Sequence, residues 1–164
     1  MLKAAKVLAV ALVLIAAILQ NTYLVEFYGI KPNFVLAVLL ALVVFVDNFW
    51  NYLILSFLGV IILKFNPAIN KESLLMLFLP ILAFYSKKIM IRRSLLNIVL
   101  LIGVFTLIFY LVADASFIVK TPFLFILETI YNIFIGSAVY LIADFIYEKT
   151  KFLQRRFSSR GDNF

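Results

Sequence analysis

Apolar residues along this chain fall into six blocks, each closed by a short polar or basic interval. They cover residues 7–19, 34–46, 52–63, 74–85, 95–113 and 122–147. Runs of this kind predict helices that cross a hydrocarbon core of about 30 Å, for which about 20 residues suffice. With their flanks, the expected spans lie near 5–23, 33–47, 50–64, 73–87, 94–113 and 122–147. The first follows Lys3 and Lys6. A basic start and a short apolar run also fit a signal peptide. Bulky residues follow the alanines of Ile15-Ala16-Ala17-Ile18-Leu19-Gln20, however, so a retained helix is expected.

Blocks two and three are short and are parted by Asp47-Asn48-Phe49-Trp50-Asn51. One helix through both would be too long and would hold Asp47 near the middle of a bilayer. A tight hairpin instead leaves Asp47 and the two asparagines in water. Phe49, Trp50 and Tyr52 would then lie among the headgroups, where amphipathic aromatics gather. Block four contains Pro80, which a membrane helix tolerates when neighbours satisfy the freed carbonyl. A re-entrant segment is the competing reading there. Flanking Lys71 and Lys87 would extend the span by snorkelling outward.

Composition strengthens the membrane reading. Hydrophobic residues make up 66% of the 164, and mean hydropathy is +1.14. A soluble domain averages roughly 45–50% apolar. Cysteine and histidine are both absent, which removes disulfides, thiolate or imidazole metal sites and histidine-based catalysis. No Gly-rich phosphate loop, nucleophile elbow or paired-carboxylate spacing appears, so neither an enzyme nor a cofactor is expected.

The net charge of +7 orients the chain and does not point to nucleic acid. Lys3, Lys6, Lys87, Lys88, Arg92, Arg93, Lys149, Lys151, Arg155, Arg156 and Arg160 fall on one side of a six-span arrangement. Only Lys31, Lys64, Lys71 and Lys120 fall on the other. Cytoplasmic loops carry the excess of Lys and Arg. The expectation is therefore an all-α transmembrane bundle of about six helices in the inner (plasma) membrane, with both termini cytoplasmic. Residues 1–148 would form the single helical domain, and 149–164 a basic cytoplasmic tail.

Inside a span, a polar residue needs a reason. Glu128 lies six residues past Pro122, about 9 Å along the helix. A carboxylate there costs about 2–3 kcal/mol and should face the bundle or a watery cavity. Four-residue steps from Glu128 reach Asn132, Gly136, Tyr140 and Asp144, which share one slowly drifting face, with Ser137 beside it. One reading is a seam that binds a ligand or a partner helix. The plainer reading is interhelical packing, with Gly and Ser admitting close approach and Asn bonding across. Asn97 and Thr106 of the fifth block are candidate partners for it. Asp114 and Asp144 sit near helix ends and read as interfacial.

The interval 20–32 ends in Gly29-Ile30-Lys31-Pro32-Asn33, a turn followed by a proline at a helix start, where its missing N–H is harmless. Gln20, and then Lys31-Pro32-Asn33-Phe34-Val35-Leu36-Ala37-Val38-Leu39-Leu40, resemble the rod shape-determining protein MreD family. Length, span count, cytoplasmic ends and the basic tail are similar too. The family's third helix is usually Gly-rich and ends in an acid. This chain keeps Gly59 but has Leu63 and Lys64 at that end, as in a divergent member.

The resemblance implies a non-enzymatic scaffold in the machinery of cell elongation and lateral wall synthesis. Its partners would be MreC-like, MreB-like and wall-synthase proteins, together with membrane lipid. The alternative is the substrate-binding membrane subunit of an energy-coupling-factor vitamin transporter, in which Glu128, Tyr131 and Asn132 would line an outward pocket. A small secondary transporter or flippase is a third class, although no repeat relates the two halves.

Overall fold

A computed structural model of the chain describes residues 3–22, 26, 32–63, 71–88 and 94–161, with side chains within 6–152 of these. All regular structure among them is helical. The elements are α1 (Lys3–Asn21), α2 (Phe34–Leu42), α3 (Phe49–Leu63), α4 (Lys71–Ser86), α5 (Leu95–Ala113), the six-residue α6 (Ala115–Lys120) and α7 (Pro122–Gly161).

The break between α2 and α3 falls at the polar interval, and Asn48 makes it. Its Oδ1 accepts the N–H of Trp50 at 2.8 Å and of Asn51 at 3.4 Å, an N-cap that starts α3. Asp47 and Asn48 are both exposed. α4, by contrast, continues through Pro80 without a break.

α2 reads Phe-Val-Leu-Ala-Val-Leu-Leu-Ala-Leu, and all nine residues are buried. A helix apolar on every side belongs in an interior. Here the interior is made by the other helices. α1, α3, α4, α5 and α7 touch in the closed order α1–α3–α4–α5–α7–α1, and each of them also packs on α2. A short helix thus sits inside a ring of five. The span expected near 33–47 is helical only over Phe34–Leu42, with turn residues at 43–45. Nine residues make about 14 Å of helix, less than half a hydrocarbon core.

Paired contacts set the helix directions. Gln20, at the end of α1, reaches Val35 at the start of α2, and Asn21 Nδ2 donates to Ile62 O at the end of α3 at 2.8 Å. Tyr52, near the start of α3, reaches Leu39 late in α2 and stacks on Phe84 near the end of α4. A Cβ added at Gly59 would meet Val35 Cγ1 at 2.8 Å and Val13 Cγ1 at 3.3 Å, so α3 lies close on α1 and α2 midway along. α1, α3 and α5 therefore run one way, and α2, α4 and α7 the other. The end bearing Lys6, the 43–48 turn and Lys87 is the basal end, and the end bearing Gln20, Asn33 and Glu128 is the apical one. The start of α1 and the C-terminal half of α7 share the basal end.

The outside of the ring is apolar. Phe134 and Phe145 on α7 are 72% and 69% exposed, and Ile54 on α3 and Phe78 on α4 are similar. Surfaces of this size and character are rare on soluble monomers. Two stretches, Leu95–Lys120 and Pro122–Phe152, are long and apolar enough to cross a membrane. α7 runs on to Gly161 over 40 residues, so the stretch from residue 149, expected as a basic tail, continues the last helix as far as Gly161.

Candidate functional site: the polar contacts that hold the central helix

Enclosing a short helix creates a specific difficulty. Each helix end leaves four backbone groups without intrahelical partners, and here no solvent is at hand to take them. At the apical end of α2 the first N–H groups are each accounted for. Phe34 donates to Pro32 O at 3.0 Å, and Val35 to Gln20 Oε1 at 2.9 Å. Leu36 donates to Asn33 Oδ1 at 3.2 Å, and Ala37 to Asn33 O at 3.0 Å. One residue earlier, Asn33 N–H donates to Asn132 Oδ1 at 2.8 Å. Pro32 is buried beside them and brings no N–H of its own.

The basal end is closed by donors. Tyr52 OH donates to Leu39 O at 2.8 Å, and Phe45 N–H to Leu42 O at 3.0 Å. Lys87, just past α4, donates its ammonium to Val43 O and Val46 O and lies 4.0 Å from the centre of the Phe84 ring. A cation at the carbonyl end of a helix is favourable, and the ring face adds to it.

Along α5 and α7 the polar positions meet in register. Glu128 accepts a hydrogen bond from Tyr110 OH, and Asn132 Nδ2 donates to Thr106 Oγ1 at 3.4 Å. A Cβ at Gly136 would press on Ile102 Cδ1 and lie 3.2 Å from Ala37 O. Every four-residue step down α7 thus meets a four-residue step back along α5, as two antiparallel helices with their ridges aligned require. Gly136 is where α7 comes against the α2 backbone, and no larger residue fits without displacement. One turn on, the Tyr140 ring packs 5.4 Å from that of Phe45. Around Glu128 the Tyr110 ring is itself held by Phe117, stacked at 5.0 Å, and by Phe125, edge-on at 5.8 Å.

The structure therefore gathers Gln20, Pro32, Asn33, Asn132 and Thr106 at the head of α2, and sets Glu128, Gly136 and Tyr140 on the same inward face of α7. Asn97 occupies the first turn of α5, where Ser94 Oγ accepts its N–H at 3.2 Å, nine residues before Thr106. Lys31 lies outside the described residues. Asp114 is exposed and caps α6, accepting Ser116 N–H at 3.1 Å. Asp144 is half-buried.

Two contributors differ from their sequence reading. Tyr52 was expected among the headgroups but is fully buried on Leu39 O, while Trp50 alone of that group is strongly exposed, at 68%. Lys87 was expected to snorkel outward but turns inward. Both move for one reason: the carbonyls ending an enclosed helix need donors, and these side chains are within reach. No local pattern marks them, because the demand arises only once α2 is enclosed.

Among the described residues no buried side-chain nitrogen or oxygen lacks a partner, and no group of three acidic, Cys or His residues is placed to hold a metal. No family model, curated protein or solved structure matches the chain. The chemistry of the site is therefore read from its geometry. Its polar atoms are spent on one another and on the α2 backbone, which suits them to holding a helix in place.

Proposed function

We propose that the chain is a non-enzymatic, multi-pass scaffold subunit of the bacterial inner membrane, of the MreD type, serving cell elongation and lateral wall synthesis. One observation carries this reading: among the described residues the buried polar side chains are satisfied within the bundle, while the outward helix faces are large and apolar. An interior closed in this way leaves recognition to the surface. Phe134 and Phe145 on the outer face of α7 are the anchors best suited to the membrane helices of MreC-like and wall-synthase partners.

Gln20, Pro32 and Asn33, the residues that carry the resemblance, converge on the head of α2. The basal end carries Lys6, Lys88, Lys149 and Lys151, and the apical end Lys71 and Lys120 among the described residues. That imbalance favours a cytoplasmic basal end, and so cytoplasmic termini. With a cytoplasmic basal end, the MreB-like partner would meet the basic end of α7 on the same side. α2 crosses no lipid in this arrangement, because its ring of neighbours stands between it and the acyl chains.

Affinity purification of the tagged full chain in mild detergent tests the proposal. Co-purification of MreC-like and wall-synthesis proteins, reduced by F134S with F145S, is the expected result. Recovery of transporter ATPase and coupling subunits in their place would overturn it in favour of vitamin binding. Variants at Glu128 or Asn132 are poor probes of partner contact, because those side chains hold the bundle together.

A further inference from the structure

We infer that the parallel pair α1 and α3 forms a seat for an anionic phospholipid at the basal end, an inference that rests on the membrane reading above. The two helices are joined apically by Asn21 and Ile62, and packed midway at Val13 and Gly59. Towards the base they leave a groove of about 110 Å³ lined by Lys6, Val10, Asn51, Ile54 and Leu55. Its lining changes character along its length. Lys6 and Asn51 form the basal rim, and one helical turn further in come Val10 on α1 with Ile54 and Leu55 on α3.

That order, a cation and an amide donor above three aliphatic side chains, matches a phosphate headgroup above the first methylenes of an acyl chain. A free anion would use the rim and leave the aliphatic wall idle. Among the described residues neither the Lys6 ammonium nor the Asn51 amide is held by another side chain, so both are available to a headgroup. Among the described residues no acid lines the groove. Asp47 is in the turn that precedes α3, exposed. Trp50 stands beside the rim, exposed, edge-on to Phe49 at 5.8 Å, as an aromatic at the headgroup level does. Lys6 is the first described side chain of α1, and its stem lies along the groove in the manner of a snorkelling lysine.

Native mass spectrometry of the purified full chain in non-ionic detergent, after incubation with dioleoyl phosphatidylglycerol or dioleoyl phosphatidylcholine, tests this. The expected result is one phosphatidylglycerol molecule retained in preference to phosphatidylcholine. Lys6→Gln should weaken retention about fivefold, as loss of one basic residue at an anionic surface implies. Ile54→Trp, which fills the wall, should weaken it as well, and Lys88→Gln should leave it unchanged. Equal retention of the two lipids overturns the seat, as does retention indifferent to both groove variants, or displacement by inorganic phosphate. A protein helix recovered in place of lipid overturns it too. Since Lys6 and Ile54 are exposed, both variants should keep the parent melting temperature. Failure of the membrane reading would appear separately, as a chain that stays monomeric in buffer without detergent.

Discussion

Asn132 and Asn33 stand 99 residues apart in the chain, and the side-chain oxygen of one accepts the backbone N–H of the other at 2.8 Å. The bond ties the apical third of α7 to the residue that caps α2. Through its amide nitrogen Asn132 also reaches Thr106 of α5, so one side chain links three helices.

Asn132→Leu should therefore strand a buried N–H. A buried donor left without its partner costs about 1–3 kcal/mol. A lowered thermal midpoint in detergent, followed by circular dichroism, is the expected outcome. A midpoint equal to that of the parent would mean that Asn33 finds another acceptor.

Gly136→Ala should overpack the meeting point of α7 with α5 and α2, since the new Cβ would press on Ile102 Cδ1 and lie 3.2 Å from the backbone oxygen of Ala37. Overpacking costs about 1–3 kcal/mol. Ile102→Val removes the Cδ1 and should restore part of the loss. The double variant should thus be more stable than the two single effects predict, a coupling that a double-mutant cycle in thermal melts would measure.

Lys87→Met should destabilise the bundle by about 1–3 kcal/mol, because Val43 O and Val46 O lose a charged donor. Its neighbour Lys88 is exposed and 5.9 Å from the centre of the Tyr85 ring, so Lys88→Met should change the midpoint little. Equal effects at the two positions would contradict an inward Lys87.

Tyr110→Phe removes the hydroxyl that donates to Glu128 and leaves a buried carboxyl without its described partner. Glu128→Leu alone leaves the phenol unpaired. Replacing both should cost less than the sum of the single changes, because the apolar pair strands no polar group. Additive losses in melts of the four proteins would mean that the pair does not act as a unit.

Much of this arrangement is legible in the amino-acid pattern. The six apolar blocks each hold a helix, Asn48 stands where the hairpin breaks, and the four-residue rhythm from Glu128 to Tyr140 marks the inward face of α7. Gln20 and Asn33 stand out through a family resemblance, and their role proves to be local chemistry at a helix start. Tyr52 and Lys87 sit elsewhere than their flanking residues imply.

The chain's own pattern determined that it is helical, where the helices begin and break, and which face of its last helix is polar. Those properties follow from hydrogen bonding and periodicity within a few residues, so a local stretch contains them. Only the tertiary structure decided that α2, and not α3 or α5, occupies the centre. Acyl chains are as apolar as leucine, so a helix facing lipid and a helix facing other helices carry the same run of apolar residues. What tells them apart is which neighbours surround them. From that enclosure follow the needs of the α2 ends, which Gln20, Asn132, Tyr52 and Lys87 meet from four different places in the chain.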